Sequence, residues 1–392
     1  MRLRVLSEYY GLHDTSTGKL LAELVQELLR QQPHLRVEVV TGARPYRVTA
    51  NPQQPEPQLD RLQVTRLQRT AWRHKGLLGR LADDLHFTLS AFLSSLAGPK
   101  ADFTLVVTNP PVLPLAALAL SRLGRGRFVY LMHDIYPDIA VASGQLSARH
   151  PATRLFGLLQ RRLLHGADRI VVLGTCMAAE VQRRYRAAAE RIDVVPNWWS
   201  PQFLGTARPQ PSGPLTLTYA GNLGRAQEFD TLLRGLPDQQ VQLELIGEGE
   251  RLSALREQVA AQGLTQVQFL PYMAEPALAH HFHSHTDVGL ILLQPGVSGL
   301  AVPSKSYNLF AAGLPVLAVL SPDSEIGQLI RRHGNGVVVS PGDDAGFQAA
   351  LRTLQDPVQR AQMATRAQAL LPEYSLQAAA QRLWTTLDKE QP

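Results

Sequence analysis

Apolar residues along this chain follow two rhythms that alternate from end to end. Short continuous apolar runs mark strands buried on both faces. Between them, apolar positions recur every three or four residues, the signature of a helix with one packed face. Residues 2–10 read as a strand, 18–32 as a helix and 36–42 as the next strand. Further strand-like runs cover 102–109, 127–134 and 168–174, with helices at 114–124 and before residue 168. Residues 193–214 are rich in Pro, Ser and Gly and interrupt the pattern, as a domain junction does. It then restarts: strands at 215–222, 241–249, 267–272, 287–293 and 314–320, with helices at 229–236, 252–263 and from about Ser304. Strands alternating with helices imply parallel sheets joined by right-handed crossovers. The expected fold class is α/β, with two Rossmann-like doubly wound domains facing each other across an interdomain cleft. Residues 1–198 form the first, 199–372 the second, and 373–392 a C-terminal helix packing back on the first. Ligands in such sheets sit beyond the carboxyl ends of the strands, so the cleft is where two substrates would meet.

Composition narrows the class. A chain of 392 residues exceeds one ordinary core, which agrees with two domains. Hydrophobic residues at 45% and charged residues at 18% describe a globular protein. The single cysteine, Cys176, excludes an internal disulfide, fits a reducing cytoplasm and reads as a buried structural thiol. The N-terminus lacks a signal peptide's apolar core, and residues 110–121 fall short of the roughly 20 needed to span a bilayer. The expected location is cytoplasmic, dissolved or peripheral at the inner face of the membrane. A net charge of +6 favours an anionic partner. Basic residues concentrate at 61–80, where Trp72 and leucines interleave with them, and again at 152–169. Both stretches read either as solvated helix faces or as attachment to an anionic membrane surface. No nucleic-acid motif accompanies the charge, so no nucleic-acid partner is expected.

Candidate chemistry lies at strand ends. Gly221, Asn222, Leu223, Gly224 and Arg225 link a strand to a helix. Glycines there suit close approach of backbone amides to a phosphate, with Arg225 adding charge, though a plain turn fits the same residues. Gly247, Glu248 and Gly249 make a second glycine turn. Ser304 reads as a helix N-cap, which puts Lys305 in the first turn, where a cation opposes the helix dipole and suggests a nearby anion. Ser324 and Glu325 follow a buried strand and suit hydrogen bonds from a ribose diol. His133 and Asp134 close the strand at 127–134 and suit sugar contact or proton transfer, or a simple strand-end turn. Residues 13–19 resemble a P-loop, but Leu20 stands where Ser or Thr is required, which rejects an NTPase. Of His280, His281, His283 and His285, only His281 and His285 share one helical face, so no metal site is expected.

Taken in order, these segments resemble family 4 of the retaining glycosyltransferases, whose fold is GT-B. Residues 9–19 stand at the family's acceptor loop, and 132–138 resemble its His-Asp stretch with a trailing aromatic-Pro-acid. Val195-Pro196-Asn197, residues 221–230 and 247–249, Asn335-Gly336 and Pro341-Gly342-Asp343 follow in the family's order. The run from Pro303 to Pro315 is closest to bacterial transferases of the colanic-acid and O-antigen N-acetyl-fucosamine type. The resemblance implies metal-independent, cofactor-free transfer of a hexosyl or N-acetylhexosaminyl-type sugar from a nucleotide-sugar, a UDP-sugar first, with retained configuration. The acceptor would be a polyprenyl-diphosphate-linked saccharide in exopolysaccharide or lipopolysaccharide assembly. It also implies catalytic roles for His133, Asp134, Arg225 and Lys305, and donor contacts from residues 221–225 and 247–249, Tyr272, Ser304, Asn308, Ser324 and Glu325. Acceptor contacts would come from Tyr10, Ser16, Thr17, Gly18 and Lys19. The chain departs from the family at Leu300 and Asn308, where two glutamates are usual, and at Asn222 and Gln227, which replace the phosphate-loop cations. Those losses keep a non-catalytic partner subunit open as a rival, beside a sugar-nucleotide epimerase of the same fold.

Overall fold

The computed structural model describes residues 1–11, 16–43, 59–70, 72, 76–205, 213–236 and 241–389. They divide into two compact units. The first comprises Met1–Pro137, Ala148–Pro196 and Leu376–Pro392, and the second comprises Asp138–Ser147 and Asn197–Ser375.

In the first unit, the chain runs β1 (Arg2–Leu6), α1 (Ser16–Gln31), β2 (Arg36–Gly42), β3 (Leu62–Leu67), α2 (Gly76–Ala97), β4 (Phe103–Val107), α3 (Pro114–Arg122) and β5 (Arg127–Met132). Helix α4 (Asp138–Ala142) groups with the second unit. The first unit continues with α5 (Pro151–Gly166), β6 (Arg169–Val172), α6 (Thr175–Tyr185) and β7 (Ile192–Val194). Its seven-stranded sheet has the order β3-β2-β1-β4-β5-β6-β7, parallel throughout. Every residue of β4 is buried, which explains why all but Thr104 are apolar. The stretch at 61–80 is more than one helix face: it supplies edge strand β3 and then opens the 22-residue helix α2. Edge strand β3 escapes the apolar-run pattern because its residues are exposed or only half-buried.

The second unit runs β8 (Leu215–Ala220), α7 (Asp230–Arg234), β9 (Val241–Ile246), α8 (Leu252–Ala261), β10 (Val267–Leu270), α9 (Glu275–Ser284), β11 (Val288–Leu292), α10 (Ser306–Ala311), β12 (Val316–Val319), α11 (Glu325–His333), β13 (Gly336–Val339), α12 (Asp344–Gln355) and α13 (Pro357–Gln368). Its six strands take the order β10-β9-β8-β11-β12-β13, again all parallel. Leucines, valines and aromatics of β8, β9, β11, α7 and α12 form its core. The last helix, α14 (Leu376–Asp388), returns to the first unit and packs on α1. Each strand order reverses once, between β1 and β4 and between β8 and β11. At such a reversal the loops leave the sheet in opposite directions and open a crevice at its carboxyl edge.

Candidate functional site

At the reversal of the first sheet, the exits of three strands are tied together. The amide of Glu8, after β1, donates to the carbonyl of Asn109, after β4, at 3.4 Å. Thr108, buried at the end of β4, accepts the amides of His133 at 3.0 Å and Asp134 at 3.5 Å with its hydroxyl. His133 and Asp134 therefore stand beside the β1/β4 crevice by backbone tethering. The His133 Nε2 is buried without a hydrogen-bond partner. Burial lowers its pKa to about 4, so the ring is neutral at pH 7. Burial also pushes the Asp134 carboxyl up to about 6, and burial together with the charge of Asp134 pushes Tyr136 up to about 12. Near β1, Tyr10 is buried, Ser16, Thr17, Gly18 and Lys19 form the first turn of α1, and the Gly18 carbonyl accepts the Gly11 amide at 3.3 Å. Lys19 pairs with Glu23 at 3.5 Å. His13, Asp14 and Thr15 lie outside the described residues.

In the second unit the two glycine turns are zipped against each other. The Gly221 amide donates to Ile246 at 2.9 Å, Leu223 to the Glu248 carbonyl at 2.8 Å, and Arg251 to the Leu223 carbonyl at 2.9 Å. A Cβ at Gly247, whose φ is +136°, would lie 2.0 Å from the Gly221 carbonyl oxygen, and one at Gly249 2.3 Å from that of Leu223. These glycines are required by a backbone seam between loops, which corrects the expectation that they free amides for a phosphate. The amides of Gly221 and Leu223 are spent within the seam. That of Gly224 is also occupied, donating to the Gln227 Oε1 at 3.1 Å. Gln227, where the resemblance led to the expectation of a cation, stoppers the loop. Asn222 and Arg225 remain exposed on the same loop. The Arg225 Nε lies 2.8 Å from Glu250, with both side chains about half exposed.

Sequence reasoning missed what holds this loop to the β11 exit. Glu228, buried, accepts the Thr231 amide at 2.7 Å and hydroxyl at 2.8 Å, and the Gln294 side-chain amide at 3.0 Å. The Gln294 backbone amide donates to Ala226 at 2.8 Å. Gln294 thus staples the two sides of the β8/β11 reversal. Its only sequence signal is its place just past a buried strand, which says nothing about a partner 66 residues away.

Other expected donor contacts take structural duties. Lys305 occupies the cap position of α10 without capping it, so Ser304 lies outside the helix and is no N-cap. Asn308 accepts the Ser200 amide at 2.8 Å, and Ser200 in turn donates to Glu275 at 3.1 Å. That bond anchors residues 197–203 and corrects a ribose role for the Asn308 oxygen. The Ser324 hydroxyl caps α11, accepting from Gly327 at 3.2 Å, and donates to Ser321 at 2.7 Å, which removes it too from the ribose. Glu325 follows in the first turn of α11, half-buried. Tyr272 is 51% exposed beyond edge strand β10, two strands from the reversal. Lys305 is exposed. Cys176 is half-buried, and among the described residues no group of side chains is arranged to hold a metal ion. His281 bonds Glu244 at 2.7 Å instead.

Family models match both halves of the chain: "Glycosyl transferase 4-like domain" over residues 18–198 and "Glycosyl transferases group 1" over 214–356. The chain belongs to the GT-B glycosyltransferases of the family 4 type. It is 27% identical to "Probable glycosyltransferase WbjE" of Pseudomonas aeruginosa, over 87% of this chain and 86% of that one. It is 25% identical to WcaI of Escherichia coli K12, named for colanic acid biosynthesis, over 90% and 91%. Among solved structures, sucrose-phosphate synthase of Thermosynechococcus elongatus superposes with a TM-score of 0.76 at 16% identity, covering 99% of this chain and 98% of that one. Anabaena Alr3699/HepE, in complex with UDP and glucose, gives 0.72 at 18% identity, covering 99% and 100%. These likenesses establish the glycosyltransferase's fold.

Proposed function

We propose that this glycosyltransferase moves a hexosyl or N-acetylhexosaminyl-type sugar from a UDP-sugar to a polyprenyl-diphosphate-linked saccharide, with retention, during exopolysaccharide or lipopolysaccharide assembly at the inner face of the cytoplasmic membrane. The observation that carries it is Arg225: a cation at the carboxyl end of β8, beside the strand-order reversal, held by an exposed pair with Glu250. Such a pair is weak enough to exchange for a diphosphate. As the anomeric bond breaks, positive charge builds on the sugar ring and negative charge on the leaving diphosphate. Arg225 and Lys305 meet the second charge without a metal. The leaving phosphate takes the acceptor's proton, so no separate base is needed. His133, neutral and with an uncommitted Nε2, aligns the sugar or the acceptor, with Asp134 beside it. Glu325 serves the ribose in place of the lost glutamate. Tyr10 and residues 16–19 meet the acceptor. The HepE complexes with UDP and UDP-glucose and the name of WcaI support the donor and the pathway.

The test is incubation of purified protein with UDP-, GDP- and dTDP-sugars and a lipid-linked acceptor, with the product's anomeric configuration read by NMR. Transfer from a UDP-sugar with retention, unaffected by EDTA, is expected; an inverted product refutes the mechanism. A second reading has its own observation: Leu300 and Asn308 replace the family glutamates, and Asn308 bonds Ser200. On that reading the chain is a non-catalytic subunit, and nucleotide would bind without turnover.

A further inference from the structure

Helix α2 is apolar on the face it turns to solvent. Leu78, Leu81, Leu85, Leu89, Leu93 and Leu96 recur once per turn, with exposures from 38% to 81%. The opposite face, with Asp83, Phe87, Ala91 and Ser95, is buried. A surface helix ordinarily shows polar residues to water. Scattered exposed leucines are unremarkable, but a continuous row about 27 Å long marks a contact surface. Trp72, 46% exposed, sits edge-on to His86 of the same helix at 6.3 Å.

Charge decides the occupant. The two acids of α2, Asp83 and Asp84, are bound by Arg69 at 2.6 and 3.0 Å. The crossovers holding α2, α3 and α5 run the same way across the sheet, which puts the three helices on one face. Helix α3 packs against both others. The outer side of α5 exposes Arg154, Leu155, Leu158, Arg161 and Arg162, and the helix contains no acid. An apolar row and a basic, acid-free helix on either side of α3, on one face of the sheet, match the boundary between acyl chains and anionic headgroups. Of the basic stretch at 61–80, which offered either a solvated helix face or an attachment, Arg61, Arg66 and Arg69 are committed elsewhere. Arg61 bonds the carbonyls of Leu29 and Gln32 at 2.7 Å and Leu35 at 3.2 Å, Arg66 that of Tyr10 at 3.4 Å, and Arg69 the α2 acids.

We infer that the outward leucines of α2 insert at the surface of an anionic lipid bilayer while the arginines of α5 rest on its headgroups. This deepens the membrane-surface part of the proposed function, on which it rests, and is independent of catalysis. Full-length protein is floated with vesicles of phosphatidylcholine alone or mixed with phosphatidylglycerol. Wild type floats with the mixed vesicles, and Leu85→Asp/Leu89→Asp reduces the bound fraction at least about tenfold at unchanged Tm. Arg154→Ala/Arg161→Ala/Arg162→Ala removes the preference for the anionic lipid. If the aspartate pair lowers Tm, Leu85→Gln/Leu89→Gln gives the same readout. Flotation of the leucine variants at the wild-type level overturns the inference, as does a wild type that stays unbound. A wild-type dimer that Leu85→Asp/Leu89→Asp converts to monomer, with no vesicle binding, assigns the face to a second copy and overturns it too. Sugar transfer to a soluble acceptor, measured in parallel, is equal in wild type and leucine variants; its absence from both sinks the transferase reading and leaves flotation standing.

Discussion

Arg225→Ala separates function from stability. Its guanidinium pairs with Glu250, both side chains about half exposed, and such surface pairs contribute ~0–1 kcal/mol. Losing it should therefore shift Tm by no more than about 2–4 °C for a unit of this size. Turnover answers to a different scale. A cation that meets the developing charge of a leaving group is worth about 3 kcal/mol, by analogy with a lost oxyanion-hole donor, which is about a hundredfold in kcat. The assay is initial-rate transfer from the UDP-sugar, with Tm measured on the same preparation. Two controls sharpen it. Glu250→Gln removes the local partner and leaves Arg225 free, so kcat should hold or rise. Arg225→Lys keeps the charge and loses the planar fork, so its rate should fall between wild type and Arg225→Ala. A kcat for Arg225→Ala within about threefold of wild type, or equal damage from Glu250→Gln, refutes the reasoning.

Gly247→Ala places a Cβ 2.0 Å from a carbonyl oxygen at φ +136°, so thermal unfolding should show a loss of about 3–5 kcal/mol. Gly342→Ala, at φ +85° with no atom within 4 Å, carries backbone strain alone and should cost about 1–2 kcal/mol; equal costs would dismiss the seam. Asn308→Ala leaves the Ser200 amide unsatisfied and should cost about 1–2 kcal/mol with UDP affinity by calorimetry unchanged, whereas weaker UDP binding at constant Tm would restore the ribose role. Asp134 has its folded pKa raised from 3.8 to about 6, so its contribution is fully present below pH 3.8 and is lost as pH rises through 6. Asp134→Asn should accordingly raise stability at pH 8 by about 1–2 kcal/mol after solvent screening, seen as a higher Tm, and leave Tm unchanged at pH 3.5; a pH-independent effect contradicts this.

The two sheets were legible because parallel strands covered on both faces must be almost wholly apolar, as β11 is and as β4 is but for Thr104. Strand β3 was hidden because an edge strand is buried on fewer sides, and its Arg66 reads as surface charge. Helix α2 was hidden for the opposite reason: leucines on its outward side, added to Phe87 and Ala91 on its inward side, blur the one-face periodicity that announces a helix. At the candidate site, positions were more legible than roles. His133, Arg225 and Glu325 could be placed beyond strand ends from the pattern alone. Ser324 and Gln227 each take an amide three residues away, but the duty of Asn308 depends on the Ser200 amide 108 residues off, and no spacing along the chain encodes that.

This division bears on the choice between an enzyme and a non-catalytic subunit. Gly247 and Gly249 are demanded by the loop seam, so a chain that had lost its chemistry would still need them in order to fold. The glycine signature therefore weighs equally on both sides. Arg225 and His133 weigh differently. Arg225 is exposed and bound by a pair too weak to matter to the fold, and His133 keeps a ring nitrogen buried and unsatisfied. A buried unpaired polar atom costs about 1–3 kcal/mol. A site kept for folding alone would shed that cost with an apolar residue of similar size. If His133→Phe is more stable than wild type and transfers no sugar, the imidazole is retained for chemistry; if it is less stable and equally active, the ring belongs to the fold.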